Sequence, residues 1–115
     1  MAAVELLIEH GFWLRRDDFV ARFVCLERDS SGQVVLAWVD WPAASASLDS
    51  GRLPCAGSEA ALLRIGASLA EGVPVDLGEA VTGLDEINVS LLVAAVVRAS
   101  GRDAAASRLR GLERP

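Results

Sequence analysis

Lysine and tyrosine are missing from this 115-residue chain, and histidine, asparagine and glutamine each occur once. All eleven basic residues are arginine, a pattern that fits a high-GC genome. It follows that no particular arginine can be read as chosen over lysine for phosphate or carboxylate recognition. With His10 alone, no second imidazole is available as a base, and one His with two separated Cys leaves too few soft ligands for zinc. Cys25 and Cys55 read as free thiols of a reducing compartment. No phosphate loop, GxGxxG, GxSxG or HExxH is present. The longest apolar stretch, Val89 to Val97, is interrupted by Ser90 and falls short of the roughly 20 residues of a membrane span. An N-terminus with early Glu5 and Glu9 and no basic region lacks a signal peptide's pattern, so a cytoplasmic location is expected.

Hydrophobic residues make up 52% of the chain and charged residues 23%, a balance that indicates a globular protein. One domain is expected over residues 1–101, with residues 102–115 as a polar, frayed tail. Such a chain buries roughly two-thirds of its unfolded surface and needs no metal or disulfide staple. The net charge is −5, from eleven basic and sixteen acidic residues, which opposes long-range attraction to nucleic acid and anionic lipid.

Along the chain, Ala3 to His10 places Val4, Leu7 and Ile8 against Glu5 and Glu9, with Gly11 as a stop. A short helix is expected, a strand being the alternative for so brief a segment. Phe12-Trp13-Leu14 follows as an apolar plug. Phe19 to Arg28 and Gln33 to Asp40 read as a β-hairpin around Asp29-Ser30-Ser31-Gly32. If Arg28 pairs with Gln33, then Val24 faces Ala37, Cys25 faces Leu36 and Phe23 faces Trp38. Both faces are then apolar at mid-strand, and a two-stranded hairpin alone is marginal in water. The chain's own helices, a third strand or a second copy must cover it.

Pro42 suits the first turn of a helix that ends near Gly51. Ser58 is the expected N-cap of a helix Glu59–Ala70 carrying Leu62, Ile65 and Leu69. Asp76 caps Leu77–Thr82, and Asp85 caps a long helix to Ser100, closed by Gly101. That last helix has no wide polar face, which predicts a central or interfacial position.

Three helices from Ser58 to Gly101 match helix-turn-helix spacing. A recognition helix needs polar or basic residues at its exposed N-terminal positions, whereas Asp85, Glu86, Ile87 and Val89 stand there; only Asn88 and Ser90 could read a base. Cys55 lies just before a helix start, where the dipole and a folded-back Arg52 would favour a thiolate. A phosphatase loop would need Arg six residues on, at Ala61. Arg15, Arg16 and Arg22 adjoin Asp17 and Asp18 and read as a self-neutralising surface. Trp13, Trp38 and Trp41 can line a ligand pocket or anchor a core and interface, with Phe23 beside them on the hairpin.

The segments His10-Gly11-Phe12-Trp13-Leu14-Arg15-Arg16-Asp17-Asp18-Phe19, Trp38-Val39-Asp40-Trp41 and Ser58-Glu59-Ala60-Ala61-Leu62-Leu63-Arg64-Ile65 resemble small hypothetical proteins of Streptomyces-type actinobacteria. The resemblance spans most of residues 4–101 and attaches no activity, cofactor or residue role.

These readings combine into an α+β domain: one antiparallel hairpin packed with four or five helices, the C-terminal half a tri-helical unit. The expected function is a non-enzymatic interaction or regulatory module that self-associates as a homodimer, with no cofactor or metal. A helix-turn-helix regulator and a small-molecule sensor or enzyme using Cys55 are the alternatives. The candidate ligand or interface residues are Trp13, Phe23, Trp38, Trp41 and Cys55. A fully buried Trp38 ring would make Trp38→Ala cost about 3–5 kcal/mol.

Overall fold

The computed structural model describes residues 1–101. Within them the fold is α+β: six α-helices, one 3-10 turn and one antiparallel hairpin. The expected tail 102–115 lies outside the described residues. Helix α1 (Ala2–His10) ends at Gly11 in the left-handed conformation, φ 75°, where a side chain would be strained. Its buried side is Ala3, Leu6 and Leu7; Ile8, expected inside, is exposed because the contact face is this set, rotated by one residue from the expected Val4, Leu7 and Ile8.

The expected strand from Phe19 is overturned in its first half. Asp17–Phe23 is a helix, α2, and β1 covers only Val24–Arg28. Asp17 and Asp18 sit in the first turn at the positive dipole end, and Phe19 and Phe23, one helical turn apart, are buried together. This is the sixth helix, beyond the four or five expected.

β1 pairs with β2 (Val34–Val39), but the register differs from the expected one by two residues. Val24 faces Val39, Cys25 faces Trp38, Leu26 faces Ala37 and Glu27 faces Leu36. Two features account for the slip. Asp29 and Gln33 close a three-residue loop with Gly32 at φ 87°, and an irregularity between Glu27 and Arg28 leaves Val35 as an extra residue. The Asp29 carboxylate accepts from the Ser31 and Gln33 backbone N–H groups and stiffens the loop.

Helix α3 (Trp41–Asp49) is capped by the Asp40 carboxylate, which accepts from the Ala43 N–H, with Pro42 in its first turn. Helix α4 runs Gly57–Glu71, so Ser58 lies inside its first turn and is not the cap. The Ala56 N–H donates to the Glu59 carboxylate instead, at 2.7 Å. Asp76 and Asp85 cap α5 (Leu77–Thr82) and α6 (Glu86–Ala99) as the sequence predicts.

The centre of the fold is α4. Ala61, Leu62, Leu63, Ile65, Gly66 and Ala67 are all buried, and α1, α3, α5 and α6 pack on it. Gly66 makes room for Trp41: a Cβ there would lie 3.1 Å from the ring. The expectation that α6 is the central helix is corrected. It lies against α1 and α4 through Leu92 and Ala95, and Arg98 holds Glu5 and Glu9 of α1 at 2.9 and 2.6 Å. Its other side, with Val93, Val96 and Val97, is exposed.

Candidate functional site

The candidate residues separate into core and surface. Trp13, Phe23 and Trp41 are buried with Leu7, Phe19, Val39, Leu63 and Ala67 in the main core. Trp13 meets Phe12 edge-on at 5.0 Å and Phe19 at 5.2 Å, and Phe19 meets Phe23 at 5.4 Å. The Trp13 indole N–H donates to the Glu59 carbonyl at 2.9 Å, so its one polar atom is satisfied inside the fold. These three aromatics hold η1 (Trp13–Arg15), α2 and α3 around α4. None of the three tryptophans lines the cleft between α4 and α5.

A cleft of about 520 Å³ lies elsewhere, between the start of α4 and α5, with Arg64, Asp76, Glu79 and Thr82 among its lining. Arg64 is bound to Asp49 at 2.6 Å on its other side. Among the described residues no group of three or more His, Cys, Asp or Glu is placed to hold a metal ion. Nor is any described helix long and apolar enough to cross a membrane.

Cys55 is half-buried against the main core. Burial, and secondarily the Glu59 carboxylate, push its thiol up; Arg16 and Arg64, rather than Arg52, supply the opposing pull. Arg16 donates to the Pro54 carbonyl at 2.6 Å and grips Asp18 at 2.7 Å, so its charge is largely committed. A thiol held protonated is a poor nucleophile.

Trp38 is different. Its side chain is 44% exposed, on a hairpin whose Leu26, Val34, Val35 and Leu36 are exposed as well. The hairpin meets the body at its base, where Val39 is buried and α2 runs into β1, while both faces beyond remain open. The condition that something must cover the hairpin is thus unmet within the described chain. A second apolar surface was not singled out residue by residue in the sequence: Ile87, Val89, Val93, Val96 and Val97 of α6 all point outward. Val89, Val93, Val96 and Val97 share one stripe at i, i+4, i+7 and i+8 spacing. The signal was the polar face that α6 lacks.

The start of α6 is acidic at its exposed end, with Asp85 and Glu86 outside and Asn88 half-buried. Of the two residues able to read a base, only Ser90 is exposed. No protein-family model matches this chain, and neither a curated protein nor a solved structure matches it.

Proposed function

We propose that this chain is a non-enzymatic module that associates with itself, forming a homodimer through its hairpin. One observation carries the reading: four large apolar side chains of β2, Val34, Val35, Leu36 and Trp38, stand exposed on a two-stranded sheet that the body leaves uncovered. Scattered exposed apolar residues are ordinary, but a contiguous set on one projecting element marks an interaction surface. Each apolar square ångström removed from water contributes about 25 cal/mol, so a second copy seated there gains what the monomer leaves unused. The outward stripe of α6 adds to the same surplus.

The helix-turn-helix reading draws less support, because carboxylates occupy the positions that would approach phosphates. The Cys55 reading is weakened by the direction in which its surroundings move the thiol. Light scattering on a size-exclusion column across a hundredfold dilution tests the proposal. The expected mass is twice 12.1 kDa at high concentration, falling on dilution. A single 12.1 kDa species at every concentration overturns it.

A further inference from the structure

We infer that the copies join edge to edge through β2, giving one continuous four-stranded antiparallel sheet; this deepens the self-association reading and rests on it. The two strands present unequal edges. β1 (Val24-Cys25-Leu26-Glu27-Arg28) carries two charged residues, the device by which natural sheets block further pairing. β2 (Val34-Val35-Leu36-Ala37-Trp38-Val39) carries no charge and no proline. It is the unguarded edge.

Backbone geometry identifies which groups are free to pair. The Asp40 N–H donates to the Phe23 carbonyl at 2.8 Å, and the Asp29 N–H donates to the Gln33 carbonyl at 2.9 Å. Counting inward from either end of the ladder, residues alternate between bonding the partner strand and pointing away from it. Along β1 both counts agree that Leu26 turns its N–H and C=O groups outward, and Ala37, which faces it, does the same along the β2 edge once the extra residue Val35 is passed over.

The occupant is a second copy, for three reasons. Pairing about a two-fold axis sets like surface against like, so the strand must not repel itself. Uncharged β2 meets that condition even though each chain carries −5 overall. A two-stranded hairpin is marginal, whereas three or more strands with an apolar face are independently stable, and doubling this one makes four. Finally, Leu36 and Trp38 stay exposed beside the edge, so the joined sheet extends their apolar cover across the junction.

The Leu26–Ala37 pair supplies a matched test. Proline removes an N–H that neither position uses within the hairpin, so Ala37→Pro and Leu26→Pro disturb the monomer similarly and different outer edges. Ala37→Lys and Leu26→Lys repeat the comparison with the backbone intact. Dissociation constants come from dilution light scattering of the full chain, with thermal melts confirming folding. The expected result is at least tenfold weaker association for both Ala37 variants and less than a twofold change for both Leu26 variants. Ala37→Lys that associates like the parent, or Leu26→Lys weakened as much, overturns the edge assignment while leaving self-association standing. Loss of association in Val93→Glu alone would then locate the contact on α6. A parent chain that is monomeric throughout overturns both inferences.

Discussion

Trp13 and Trp38 are chemically the same residue in opposite situations, and substitutions should separate them. Trp13 is fully buried, touches two rings and donates to the Glu59 carbonyl, so Trp13→Ala should cost about 3–5 kcal/mol in a denaturant melt. Trp38→Ala, at 44% exposure, should cost the isolated fold less than about 1 kcal/mol and instead weaken self-association. That replaces the larger cost expected for a buried Trp38 ring. His10 gives a pH prediction. Burial holds its imidazole below the ordinary 6.5, against the opposing pull of Glu59 and Asp85. The unfolded chain therefore binds this proton more readily than the folded one. Stability is full above about pH 6.5, falls as pH drops below it, and levels once the folded imidazole is itself protonated. Melts between pH 7.5 and 5 should show this step, and His10→Gln should remove it. At this scale the sequence spoke unevenly. It singled out Trp13, Trp38 and Trp41 together, because a side chain's type states its appetite for burial and says nothing of whether a neighbour arrives.

Elements whose ends carry their own chemistry were legible. Asp76 and Asp85 cap the helices they precede, and Gly11 ends α1 in the left-handed conformation. Asp85→Ala should therefore cost about 1 kcal/mol and fray the first turn of α6, read as faster amide exchange at Ile87 to Val89. α2 was not legible as a helix: Phe19 to Phe23 joins the strand without a break, and a run this short satisfies either period. The hairpin was foreseen but not its register, because a loop one residue shorter than expected and one extra residue at the bulge move every pairing without altering the apolar pattern. Packing between elements sets a second expectation. A methyl group at Gly66 would sit 3.1 Å from the Trp41 ring, so Gly66→Ala should loosen α3 from α4 at a cost of about 1–3 kcal/mol, despite its gain in helix propensity. A melt with unchanged midpoint would show that the ring can move aside.

Across the whole molecule, burial and charge act in opposition. In the proposed dimer, two copies of charge −5 repel at long range while apolar hairpins attract at contact. Salt screens the first and leaves the second, the Debye length falling from about 30 Å at 0.01 M to about 8 Å at 0.15 M. Self-association should therefore tighten several-fold over that range; weakening would point to a contact built on charge. The α+β class, the place of the hairpin turn, the Asp76 and Asp85 caps and the excess of apolar surface were determined by the sequence, since each rests on residues close together along the chain. Tertiary structure alone decided that α4 rather than α6 occupies the centre and that three aromatics turn inward while Trp38 stays out. Those outcomes depend on which surfaces compete for a single core. α4, lined with Ala, Leu and Gly66, admits neighbours on several sides, whereas the β-branched outer face of α6 stays exposed.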